Sequence, residues 1–215
     1  MYGSDPSAAL RPALTVALYG DQGVGKTTLC RRLCGVNQPR NTGPTLGYDV
    51  KEGRLMGTKV RWLDTSGAPR FVRPEPWLKH VDLVVFVFGT HNKASWLNLE
   101  FWLRRTELWH GRQGTRVAVG LVHGGVSRTV SMRLASATAM LIGAQYLEID
   151  DDDATLRPLI DIVSLHAVGA HQHSTLAKRF SSGQLHAGVG ERWGNTPLAP
   201  PSVGCISCLL QCTVL

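Results

Sequence analysis

Nothing in this 215-residue sequence approaches the roughly 18 consecutive apolar residues that a membrane-spanning helix requires. Residues Met1 to Pro12 also lack the basic start and long apolar run of a secretory signal. The expectation from both absences is a chain that starts and stays in the cytosol. No five or six Lys and Arg residues stand together, although the formal net charge is +7. The scattered surplus argues against a nucleic-acid interface and leaves a mild attraction to anionic membrane surfaces. The five cysteines do not form a disulfide framework. Cys30 and Cys34 are four apart on an expected helix, with one or both facing the core, and Cys205, Cys208 and Cys212 crowd the C-terminus. A His/Cys zinc pattern does not follow either, and His166, His171 and His173 would meet a metal only by accident of geometry. There are no internal repeats.

What is present fits one globular domain with a tail. Hydrophobic residues make up 43% and charged residues 18%, enough to bury a core. Apolar β-type runs alternate with helical stretches, the pattern of an α/β domain around a mostly parallel sheet. Strands are expected at Leu14–Tyr19, Tyr48–Leu55, Thr58–Asp64, Leu83–Phe88, Val117–Val122 and Gln145–Ile149, six in all, with a hairpin turn at Met56–Gly57. The unbroken apolar run of Leu83–Phe88 suits a strand covered on both faces. Helices are expected at Lys26–Gly35, Ala94–Trp109 and Ser131–Gly143, and from Asp153 to about Ala170. Ser131 is a natural N-cap, and Asp150–Asp153 places negative charge at a helix start. The domain division is therefore an extension over 1–12, a folded domain over 13–170 and a tail over 171–215. That tail is rich in Gly, Ser, Pro and His, with few basic residues.

Gly20-Asp21-Gln22-Gly23-Val24-Gly25-Lys26-Thr27 fits the phosphate-loop pattern G-x-x-x-x-G-K-[ST], with a strand before it and a helix after it. Wrapping a phosphate with successive backbone N–H groups needs dihedral angles that glycine allows. Lys26 would reach the β- and γ-phosphates, and the Thr27 hydroxyl would bind Mg²⁺. The helix beginning near Lys26 adds its positive end, with Thr28 in its first turn.

Two further segments carry a resemblance. Pro44-Thr45-Leu46-Gly47 stands where a first switch would, and Trp62-Leu63-Asp64-Thr65-Ser66-Gly67 ends a strand as a second switch would. Gly20–Leu29 (GDQGVGKTTL) resembles the GDSGVGKSxL of the Rab branch of the Ras superfamily, and Asp64–Phe71 (DTSGAPRF) resembles DTAGQERF. Val87–Leu103 (VFGTHNKASWLNLEFWL) is similar to VFDVTNRESFENLKKWL. The likeness is good from Leu14 to Ser131 and loose beyond. It implies a P-loop NTPase fold of the Ras-like G-domain type, binding GTP or GDP with Mg²⁺ as cofactor. The nucleotide would be held by Gly20, Asp21, Gln22, Gly23, Val24, Gly25, Lys26, Thr27, Thr28, Thr45 and Gly67. Thr45 would bind Mg²⁺ and sense the γ-phosphate, Asp64 would hold Mg²⁺ through water, and the Gly67 N–H would meet the γ-phosphate. Such contacts order switches in the triphosphate state and release them after hydrolysis.

The resemblance also marks departures. Ala68 replaces the glutamine that orients the attacking water, so no catalytic residue is assigned and intrinsic hydrolysis should be very slow. Leu121-Val122-His123-Gly124 replaces the guanine-reading Asn-Lys-x-Asp. Ile149-Asp150-Asp151-Asp152 replaces a Ser-Ala-Lys loop, and Gln38 or Pro39 stands at the base-stacking aromatic. Gln22 is longer than the family's serine and would hinder an activating arginine, or simply face solvent. Asp150–Asp153 either reads a base edge or forms a solvated helix start. Trp62, Trp77, Trp96 and Trp102 read as core or switch-flank aromatics, and the resemblance adds an effector-surface role for Trp62.

Cys212-Thr213-Val214-Leu215 fits C-a-a-X with a geranylgeranyl preference, and Cys205 and Cys208 are candidates for palmitate. The implied protein is a monomeric, membrane-anchored switch in vesicle trafficking, on the cytoplasmic face of endomembranes or plasma membrane with a soluble cytosolic pool. Its partners would be effectors, an exchange factor and the prenyltransferase machinery, with no nucleic acid. The alternative is a pseudo-GTPase scaffold that binds nucleotide without turnover or without guanine selectivity.

Overall fold

The computed structural model describes residues 14–36, 43–55, 57–71, 81–110 and 114–167. Six strands form one sheet: β1 (Leu14–Tyr19), β2 (Tyr48–Leu55), β3 (Thr58–Thr65), β4 (Leu83–Gly89), β5 (Thr115–Leu121) and β6 (Gln145–Ile149). Their order is β2-β3-β1-β4-β5-β6. All neighbouring pairs are parallel except β2 with β3, a hairpin turned at Gly57 with φ 77°. The helices are α1 (Lys26–Leu33), α2 (Lys93–Leu97), α3 (Leu99–His110), α4 (Met132–Leu141) and α5 over residues 157–167.

Alternation along the strands builds two core layers. Val16, Leu18, Val85 and Val87 face α1 and α5, where Leu29, Cys30, Leu159 and Val163 meet them. Ala17, Tyr19, Phe86 and Phe88 face the other way, against Trp96, Trp102, Leu103 and Ala135. Leu83 to Phe88 are all buried, which is why that run lacks alternation. Each such side chain contributes about 1.5–3 kcal/mol on burial.

The structure corrects several expected boundaries. The segment expected as one helix from Ala94 to Trp109 is two helices, broken at Asn98. The break is slight, since Asn98 N still donates to Ala94 O and Trp102 N to Asn98 O. Asp153–Leu156 is a 3-10 turn rather than the start of α5. Ser131 caps α4 as expected, accepting from Leu134 N. Trp62 is fully buried in the core and presents no effector surface. Trp96 and Trp102 are also buried, whereas Trp77 lies outside the described residues.

β1 is the switch point of the sheet: its neighbours β3 and β4 lead away on opposite sides. In such sheets the crevice beyond the carboxyl ends of the strands is the place for a ligand. The glycine-rich loop leaves β1 there.

Candidate functional site

Gly20–Gly25 joins β1 to α1, and two features make glycine obligatory. A Cβ on Gly20 would lie 2.1 Å from Val87 O, and Gly25 caps α1 with φ 101° in the left-handed region. Lys26 opens the helix and is buried. Its ammonium folds back over the loop, donating to Gly20 O at 2.8 Å and Asp21 O at 2.7 Å. Burial lowers its pKa to about 8, against the opposing carboxylates of Asp64 and Asp21. The loop is anchored from the far side as well. Asp21 accepts from Trp102 Nε1 at 2.8 Å and from Asn98 Nδ2 at 2.7 Å.

Thr27, Thr45 and Asp64 come from α1, the segment before β2, and β3, and they converge. Thr27 Oγ1 donates to Asp64 Oδ2 at 2.7 Å and lies 3.3 Å from Thr45 Oγ1. Thr45 Oγ1 donates to the same Oδ2 at 3.5 Å. Asp64 is buried, and its Oδ1 has no hydrogen-bond partner. Burial raises its pKa, while the Thr27 hydroxyl and the Lys26 charge oppose that shift. A buried carboxylate oxygen without a partner, beside two hydroxyls, is a set of hard oxygen donors that fits Mg²⁺.

The cavity between these elements measures about 360 Å³ and is lined by Gln22, Lys26, Thr27, Thr45, Ser66 and Gly67, among others. Thr28 also lines it, whereas Gly20, Asp21 and Val24, expected to hold the nucleotide, do not. Its two switch-like walls are joined, because Ser66 N donates to Gly47 O at 2.8 Å. Gly67 runs so close to the phosphate loop that a Cβ there would meet Gln22 N at 2.2 Å. After it, Ala68 N donates to Ser66 Oγ and a 3-10 turn follows at Pro69–Phe71. Arg105 of α3 donates to Pro69 O at 3.0 Å. Ala68 offers this region a methyl group.

A second cleft lies beside the loop, bounded by Arg32, Leu121, Val122, His123, Asp150 and Asp151. Arg32 spans its floor, donating to Asp150 O at 2.6 Å and Asp152 O at 2.9 Å and pairing with Asp153. The acidic run is therefore a bound turn rather than a merely solvated helix start: Asp152 caps Ala154 N, and Asp150 Oδ1 accepts from Asp152 N. Gln38 and Pro39 lie outside the described residues, as do Cys205, Cys208, Cys212, His171 and His173. His166 bonds Thr115 and Ile162 O. No group of three or more potential metal-ligating His, Cys, Asp or Glu occurs among the described residues. No described helix is long and apolar enough to cross a membrane.

Sequence reasoning read the loop from its motif and joined Thr45, Asp64 and Gly67 to it through the resemblance to the Rab branch. It missed the Trp102–Asp21–Asn98 anchor and Arg32, because their partners lie 77 or more residues away.

The Roc family, described as Ras of Complex, Roc, domain of DAPkinase, matches residues 15–122. The chain is 35% identical over 96 residues to Ras-related protein Rab-33A of Mus musculus, covering 41% of this chain and 40% of that protein. It is 27% identical over 176 residues to Ras-related protein Rab-30 of Homo sapiens, covering 78% of this chain and 86% of that protein. With Ypt/Rab-type GTPase YPT7 of Saccharomyces cerevisiae it is 31% identical over 102 residues, 45% of this chain and 49% of that protein. The chain spans 40% of the mouse Rab-33A and 34% of Rab-33 of Caenorhabditis elegans.

Proposed function

The chain belongs to the Ras superfamily as a Rab-like small GTPase domain, and on that premise we propose that it is a Mg²⁺–nucleotide switch with very slow intrinsic hydrolysis. The observation that carries the reading is the convergence of Thr27, Thr45 and Asp64 beside the Lys26 cradle. The glycine-rich loop and Lys26 receive the phosphates. Thr27, Thr45 and Asp64 would hold the ion, which when bound neutralises charge on the β- and γ-phosphate oxygens. Gly67 would close on the γ-phosphate side, and its neighbour Ser66, donating its N–H to Gly47 O, links that closure to the segment that carries Thr45. A change at the phosphate is thus felt in both switch segments.

Ala68 supports slow turnover, since nothing at that position orients an attacking water. It equally favours a second reading, a pseudo-GTPase that recruits partners without turnover. The trafficking role, the exchange factor and effectors, and a geranylgeranyl anchor on Cys212 with palmitate on Cys205 and Cys208 belong to this proposal.

The test is binding of a fluorescent GTP analogue with Mg²⁺ and with EDTA, beside Lys26→Ala. Binding that needs Mg²⁺ and falls on the order of a hundredfold in the variant is expected. Binding indifferent to both changes would contradict the proposal.

A further inference from the structure

We infer that this site selects its ligand by the Mg²⁺–polyphosphate and not by the base, so that ATP and GTP bind it alike; the inference rests on the phosphate-switch reading above. The phosphate side of the crevice is complete, with its lysine, hydroxyls and carboxylate in place. Among the described residues the base side is not. The cleft they bound measures about 60 Å³, against about 360 Å³ for the phosphate cavity, too little to enclose a purine.

Distinguishing guanine from adenine requires fixed donors and acceptors along the base edge. Among the described residues, several of the groups bounding this cleft are apolar or already engaged. Leu121 is buried at the end of β5, and a Cβ on Gly25 would lie 2.7 Å from Leu121 Cδ1, so this side chain presses an apolar surface against the loop. Leu121 O accepts from Thr90 N at 3.0 Å and Thr90 Oγ1 at 3.1 Å, and Val122 N donates to Ile149 O at 2.9 Å. The Arg32 guanidinium is committed to Asp150 O, Asp152 O and Asp153. Asp150 Oδ1 accepts from Asp152 N and Thr155 Oγ1.

His123 and Asp151 remain at the exposed rim, with the His123 ring packed edge-on to His91 at 4.9 Å. A carboxylate reads guanine when it is held in line with N1–H and the 2-amino group together; Asp151 stands on the exposed rim, where water competes for it. Gly124 supplies no side chain, and a Cβ there would meet nothing within 4 Å.

The experiment is displacement of a Mg²⁺-loaded fluorescent GTP analogue from the full-length protein by unlabelled GTP and by ATP. A ratio of the two affinities within about tenfold is expected, because apolar or solvent-facing contacts discriminate weakly. GTP preferred by more than about tenfold overturns the inference while leaving the phosphate-switch reading intact. Failure of the analogue to bind at all overturns both. The double variant Leu121→Asn/Gly124→Asp puts back polar groups on the base edge. It is expected to gain a GTP preference of at least about tenfold with its ATP affinity little changed. A folded double variant that stays indifferent would overturn the assignment of base-indifference to these two positions.

Discussion

Trp102 donates its indole N–H to Asp21 Oδ1 at 2.8 Å, joining the first turn of α3 to the second residue of the phosphate loop. Asn98, at the break between α2 and α3, donates to the other oxygen of the same carboxylate. Trp102 is fully buried, so the bond is fixed by packing against Tyr19 and Phe101 rather than by the loop itself. Trp102→Phe removes the donor and leaves a void. It is expected to lower the unfolding free energy by about 2 kcal/mol and to speed nucleotide release. Asn98→Ala, at the exposed end, should cost less than about 1 kcal/mol. Urea unfolding and release of a fluorescent nucleotide check both.

Gly67 reaches the phosphate loop more closely than any side chain permits. A methyl group there would sit 2.2 Å from Gln22 N and 2.4 Å from the Asp21 carbonyl carbon, both backbone atoms. Gly67→Ala must therefore push the second switch segment away from the loop. The expected result is a loss of about 1–3 kcal/mol of stability. A smaller ratio of triphosphate to diphosphate affinity should accompany it. Thermal melting and paired affinity measurements would show it, and an unchanged ratio would remove Gly67 from the γ-phosphate side.

Ala68 invites a gain-of-function substitution. It is half-buried after Gly67, and its N–H is already held by Ser66 Oγ at 3.2 Å, so the backbone at this position is set. Ala68→Gln adds a group able to orient water. Single-turnover hydrolysis is expected to rise on the order of a hundredfold over the parent. A parent that already turns over as fast as the variant would show that Ala68 is not the limiting feature.

Arg128 and Glu148 provide a pH signature outside the site. The Arg128 guanidinium meets both carboxylate oxygens of Glu148, at 2.7 and 2.6 Å, and Tyr146 donates its hydroxyl to the same carboxylate. These bonds, Arg128 first, hold the Glu148 pKa below its ordinary value of 4.5. A carboxyl depressed on folding contributes stability that is present above its unfolded pKa and lost as pH falls through its folded pKa. The stability gap between the parent and Arg128→Ala should therefore be full at neutral pH and close as pH falls below 4.5. Urea midpoints across that range test it; a gap that widens on acidification would contradict the assignment.

Local chemistry made much of this legible in the sequence. Gly20–Thr27 declares a strand-to-helix phosphate loop because each residue type has a local task, and Leu83–Phe88 declares a central strand because no face of it is polar. What stayed hidden depends on partners distant along the chain. Trp62 read as core or switch-flank, and only the structure decides: on β3 it packs into the layer under α1. Asp150–Asp153 looked like charge at a helix start, and only the structure brings Arg32 across to it. Asn98 reads as one more helical residue until its side chain meets Asp21.

The central claim is that this domain holds a Mg²⁺–nucleoside phosphate in the crevice between Lys26, Thr45 and Asp64. The most direct measurement is to purify the protein from cells with Mg²⁺ present, denature it and identify the nucleotide released, then refill the site with GTP or ATP. About one nucleoside di- or triphosphate per chain, lost on chelation and restored on refilling, is the predicted result. A protein that emerges folded and empty, and takes up neither nucleotide with Mg²⁺, would contradict the account.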